Sequence, residues 1–202
     1  MRKSAMPKPK APKILIPDSI LQAEFEYLAQ SAFQANEDRA RVTTFYFISV
    51  GSLVAVILGT EFAGDISRGA YLAFTLLFGL LTAFGFLTIS QLARLRVAWV
   101  EAVIAMNRVK DHYLALYPQL EAAFLWRMGT VPGKGKRFSI AGLMAMEVAL
   151  LGSGTLVASV YCLLRTWGGI SGWGWLILGG ASLLGYIIQI GWYRFLLNYN
   201  DR

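Results

Sequence analysis

From Thr43 to Thr60 the chain runs eighteen residues without a charge, and from Ala70 to Ile89 it does so for twenty. Two further apolar stretches, Ile140 to Leu164 and Trp173 to Leu197, carry only Glu147 and Arg194 between them. At 1.5 Å per residue, about 20 apolar residues cover the roughly 30 Å hydrocarbon core of a bilayer. Lipid offers the backbone no hydrogen bonds, so only helices and closed barrels cross it. These runs are continuous rather than alternating, which selects helices. Only 15% of the residues are charged and 56% are hydrophobic, against about 25% charged in soluble domains. The expected fold is all-α: an integral membrane four-helix protein with two long amphipathic cytoplasmic helices.

The polar interval 90–139 separates two membrane hairpins, 43–89 and 140–197. Its first part repeats apolar residues at 3-4 spacing: Leu92, Leu95, Trp99, Ala102, Met106, Val109, Tyr113 and Leu116. That is the pattern of a helix with one apolar, coiled-coil-like seam. Residues 18–42 show a second such row, Leu21, Phe25, Leu28, Ala32 and Ala35. Asp18 or Ser19 is the expected N-cap. No Gly or Pro interrupts the path into the first span, so one helix should run from outside the bilayer into it. The two seams are expected to pair antiparallel and to meet neighbouring subunits. Pro118 should end or kink the second helix. Gly133-Lys134-Gly135-Lys136 lacks the strand and spacing of a phosphate-binding loop and reads as a basic flank. The Lys- and Pro-rich residues 1–17 read as a disordered tail, and 198–202 as a short cytoplasmic end.

Seventeen of the nineteen Lys and Arg residues fall before Thr43, in the middle interval or at the C-terminal end; Arg68 and Arg165 sit in the two short hairpins. The positive-inside rule then places both termini and the interval in the cytoplasm; the expected location is a bacterial inner membrane. The net charge of +7 serves this topology and anionic lipid, and no nucleic-acid partner is expected. The first apolar stretch lies too far in, and is too long, for a cleaved signal; it reads as an uncleaved anchor. Cys162 and His112 are the sole residues of their kinds. Neither a disulfide, a metal site nor an intramembrane haem ligand is expected, and no cofactor. No catalytic constellation is visible, so the chain does not read as an enzyme.

Small residues recur at four-residue spacing in three spans: Gly51, Ala55, Gly59; Thr75, Gly79, Ala83; and Ala141, Ala145, Ala149, Ser153. Such rows let helix backbones approach in lipid. In the third span Glu147, Gly154 and Tyr161 mark a second face. Glu147 lies about eight residues, roughly 12 Å, inside the span. A charged group at a helix centre costs about 2.5–3.5 kcal/mol on insertion scales, and such residues usually face a bundle interior or cavity. The same depth on the fourth span is Gln189, within a polar stripe of Ser182, Tyr186, Gln189 and Tyr193. Glu147 is therefore expected to face Gln189, Tyr186 or Tyr193, or to be reached by Arg194. Two readings stay open. The site is an ion or proton path, becoming a carboxylate-lined pore if a ring of subunits gathers Glu147. Or it is a hydrogen-bonded carboxyl that fixes packing.

Phe25-Glu26-Tyr27, then Arg39 and Arg41, then Phe45-Tyr46-Phe47 and Gly51 resemble the start of bacterial SLATT-type (SMODS/SLOG-associating) membrane proteins. The resemblance covers about residues 20–117, including the long helix from Leu92 to Tyr113, and the chain departs from it by two added spans. It implies a pore-forming effector of nucleotide-triggered defence or an oligomeric membrane scaffold. No stretch here reads as a nucleotide sensor, so the resemblance implies a trigger supplied by a cytoplasmic or membrane protein partner. The expectation is a homo-oligomeric membrane protein that permeates or perturbs the bilayer. The alternative is a non-catalytic scaffold or accessory subunit of a larger membrane complex.

Overall fold

Apolar runs without internal Pro become uninterrupted helices, and serine and proline set their ends. A computed structural model describes residues 17–61, 67–131, 133, 136, 139–168, 170 and 172–199. The expected basic tail, apart from Pro17, and residues 200–202 lie outside these. Four helices make up the body: α1 (Pro17–Glu61), α2 (Arg68–Leu116), α3 (Ile140–Thr166) and α4 (Gly172–Tyr199). No strand occurs among the described residues. All four helices are long and apolar enough to span a membrane.

Ser67 caps α2 by accepting the Ala70 amide at 3.3 Å, and Ser139 caps α3 by accepting that of Gly142 at 3.2 Å. Helix α2 stops at Leu116, and Pro118 opens a 3-10 turn through Ala123, as a ring without an N–H should. The expected cap at Asp18 or Ser19 is not used. Both residues lie inside the described helix, which includes Pro17, and Asp18 lies in its first turn. Proline's fixed φ suits that turn, and the acid faces the positive end of the helix dipole.

Helices α1 and α2 hold 45 and 49 residues, about 68 and 74 Å long at 1.5 Å per residue. Helices α3 and α4, at 27 and 28 residues, reach only about 40 Å. The long pair therefore overshoots the bundle on the side where α3 starts and α4 ends. In space α2 and α3 occupy the centre, with α1 packed mainly on α2 and α4 on α3 and α2. Helices consecutive in the chain run antiparallel. From Pro118 the chain returns along α2: the Lys110 ammonium donates to the Trp126 carbonyl at 3.5 Å and the Arg96 guanidinium to the Gly133 carbonyl at 3.4 Å.

The inner face of α1 is one continuous row, Ala32, Ala35, Arg39, Thr43, Tyr46 and Val50, all buried. It extends the predicted apolar seam of the arm straight into the span. On α2 Leu92 and Ala102 are buried, and Leu95, Trp99, Met106, Val109 and Tyr113 are half-buried. Residues of the same chain flank several of them. Val109 and Tyr113 share a cleft with Leu21 and Phe25 of α1, and Trp99 and Met106 share one with Trp126 and Val131 of the returning segment.

The bundle surface is apolar: Leu76, Phe45, Leu150 and Leu183 are each more than 60% exposed. Its interior is built from small and polar residues. That inversion suits lipid as the solvent, because Leu gains nothing by leaving hydrocarbon whereas Ala, Gly and Ser let backbones close up. The row Ala141, Ala145, Ala149, Ser153 is fully buried. Two other expected rows turn differently. Gly51, Ala55 and Gly59 are exposed, and Ala83 is exposed beside half-buried Thr75 and Gly79. Tyr46 and Val50 hold α1 to α2, and Gly51 lies one residue, about 100°, off that line.

Candidate functional site

The four helices meet at a polar centre. Tyr46 of α1 lies against Gly85 of α2, where a Cβ would stand 2.8 Å from the Tyr46 hydroxyl. The same Cβ would stand 3.5 Å from Cα of Gly152 on α3. On the far side of Gly152 rests the Gln189 amide of α4; its nitrogen would be 2.8 Å from a Cβ there. Two glycines thus let two large polar side chains enter the middle of the bundle. The adjacent Thr82 and Thr155 hydroxyls lie 3.0 Å apart across α2 and α3. Ser159 donates to the Thr75 carbonyl at 2.8 Å, a second polar bond between the same helices. Gln189 is wholly inaccessible, and neither of its amide atoms has a hydrogen-bond partner. The Tyr46 hydroxyl is buried beside that of Thr155. A buried unsatisfied group costs about 1–3 kcal/mol.

A second polar cluster closes the basic end of the bundle. Arg39 and Arg96 lie outside the apolar runs 43–60 and 70–89, yet they are 6% and 4% exposed. Arg39 Nε donates to the Ala35 carbonyl at 3.3 Å. Arg96 stacks over Trp99 at 4.8 Å, and its Nε–H has no acceptor. Tyr193, 7% exposed, lies close enough to act electrostatically on both. Burial pushes both guanidinium groups below the usual arginine value; the charge of Arg96 lowers Arg39 further, and Tyr193 opposes the shift in each.

The predicted polar stripe of α4 does face inward: Gln189 and Tyr193 are buried, and Ser182 and Tyr186 half-buried. The predicted partner does not meet it. Glu147 is exposed on the outer face of α3, as is Arg194 on α4. Two causes separate Glu147 from Gln189. Glu147 lies two residues from both Ala145 and Ala149, so packing those alanines inward points it about 200° away. Gln189 also meets α3 at Gly152, five residues or about 7.5 Å deeper. Around Glu147 the outer face reads Ile140, Leu143, Leu150 and Gly154, all exposed, at 3-4-3-4 spacing with the acid at its middle.

Sequence reasoning missed Tyr46, Gly85, Gly152, Arg39 and Arg96. For Arg39 a signal existed: it falls on the seam, four residues after Ala35 and four before Thr43. No cluster of three or more His, Cys, Asp or Glu able to hold a metal occurs among the described residues. Comparison with protein-family models, with curated proteins and with solved structures finds no match to this chain.

Proposed function

We propose that this multi-pass membrane protein assembles with copies of itself through the outer face of α3 and permeates or perturbs the bilayer. The observation that carries the reading is Glu147, exposed about a third of the way along α3 within an otherwise apolar 3-4 row. A carboxyl facing lipid costs up to about 2.5–3.5 kcal/mol on insertion scales, the value at a helix centre. A neighbouring copy relieves that cost by offering polar partners or a water-filled lumen. The flanking Leu143, Leu150 and Gly154 supply the contacts such an interface needs, and one polar residue in an apolar row fixes register and copy number. A ring that gathers these carboxyls around an axis makes a cation path. The basic end then faces the cytoplasm of a bacterial cell, held at the inner membrane by its Lys and Arg excess. No chemistry beyond transport is assigned.

The test is cation flux in liposomes. Wild-type protein is expected to conduct, and Glu147→Gln to lose cation preference or flux. Flux unchanged by that substitution would remove the acid from the path. The second reading, a scaffold or accessory subunit, is favoured by Leu125 and Trp126, which are 85% and 67% exposed on the returning segment. Its mark would be a stable complex with another protein and no flux.

A further inference from the structure

The geometry points to a phosphate-binding site at the basic end of the bundle, in which Arg39 and Arg96 together hold a phosphate-bearing anion. The two arginines come from different helices, and each residue is more than nine-tenths buried. Removing a charge from water is costly unless it is paired. Among the described residues the ion pairs are Asp38 with Arg41, at 3.6 Å, and Glu121 with Arg127, at 2.8 Å. Neither buried arginine has one. Asp38, the nearest acid in sequence, turns to Arg41 instead.

The groups gathered here are mostly donors. Arg96 Nε–H is buried and without an acceptor, and one turn of α1 beyond Arg39 the buried Thr43 hydroxyl is also without a partner. The protein carbonyls of Ala35 and Gly133 take one bond from each arginine. That leaves a positively charged, donor-rich group of side chains beside Tyr193. Planar guanidinium forks match phosphate oxygens two at a time, which a single lysine cannot do. Trp99 stacks on the Arg96 plane and fixes its direction, so little side-chain freedom is lost on binding. Two like charges held together also repel; an anion between them reverses that term. Burial lowers the proton affinity of both groups, and the charge of Arg96 lowers that of Arg39 further.

The site lies four residues outside the first apolar run and seven beyond the second, at the level where headgroups of an anionic leaflet sit. The phosphate can thus belong to a lipid headgroup or be free in solution. Thermal unfolding in a neutral detergent separates the two. One arm titrates sodium phosphate against chloride at constant ionic strength; the other titrates short-chain phosphatidylglycerol against phosphatidylcholine. Wild type should be stabilised in at least one arm. Arg39→Gln and Arg96→Gln should each weaken that response by about tenfold or more, the scale of one lost charge-assisted bond. Before any anion is added, both variants should melt no lower than wild type, because each removes a repelling buried charge. Arg96→Lys, which keeps the charge and loses the fork, should fold and bind in between.

Stabilisation by phosphate at least as strong as by the lipid assigns a free anion; stabilisation by phosphatidylglycerol alone assigns the headgroup. No response of wild type in either arm overturns the proposal. So do variants that respond as wild type does, or variants that lose stability before any anion is present.

Discussion

Gly85 and Gly152 are the residues on which the bundle's centre depends, because their missing side chains are occupied by Tyr46 and Gln189. A methyl at Gly85 has a tyrosine ring on one side and the backbone of Gly152 on the other. Gly85→Ala should cost about 1–3 kcal/mol through overpacking, read as a lower unfolding temperature in detergent. Gly51→Ala is the control: nothing lies within 4 Å of its Cβ direction, and the change should stay within about 0.5 kcal/mol. Gln189 behaves in the opposite sense. Its amide makes no hydrogen bond, so Gln189→Leu removes two unsatisfied atoms at similar volume. Stability should hold or rise by about 1 kcal/mol; a clear loss would show that the amide has a partner. At this scale the sequence was least legible. The inward stripe of α4 was visible because Ser182, Tyr186, Gln189 and Tyr193 are polar in an apolar helix. Glycines 85 and 152 were not, since glycine is common in membrane helices and only the opposite side chain gives it meaning. Arg39 and Arg96 read naturally as solvated charges at the ends of spans.

The elements were far more legible, because they rest on the absence of charge and on punctuation by proline and serine. The uninterrupted passage of α1 from arm to span follows from having neither Gly nor Pro between Asp18 and Val50. The seam of α2 was visible in its spacing, and its partners are α1 and the returning segment of the same protomer. Replacing Trp99 and Met106 together by Asp should therefore open the arm itself: limited proteolysis should cut α2 beyond Arg96 in the variant and spare it in wild type. Equal protection in both would mean that the clefts seen along the arm do not hold it closed. The rotation of α3 was not legible. Its sequence offers two faces fit for close packing, one of Ala and Ser, the other of Glu147, Gly154 and Tyr161. A single chain does not say which face meets its own neighbours. The structure spends the alanine face inside the protomer, because backbones approach most closely there, and leaves the other outward.

Across the whole molecule that outward face is the consequence that matters. Four helices enclose a filled polar centre, two arms close against each other, and an acid remains on the surface where lipid should be. On the proposed reading, a second copy would cover that face without altering the core. The exposed tryptophans Trp167, Trp173 and Trp175 at one end and Trp192, stacked at 5.6 Å on Phe195, at the other give the bundle two aromatic margins, as interfacial anchoring requires. The central claim is self-assembly through α3, and the direct measurement is the mass of the protein in nanodiscs, for wild type and for Leu150→Trp with Gly154→Leu. The account predicts a discrete homo-oligomer for wild type and a folded single protomer for the variant, with its unfolding temperature little changed. A wild-type monomer, or an oligomer untouched by the substitutions, would contradict it.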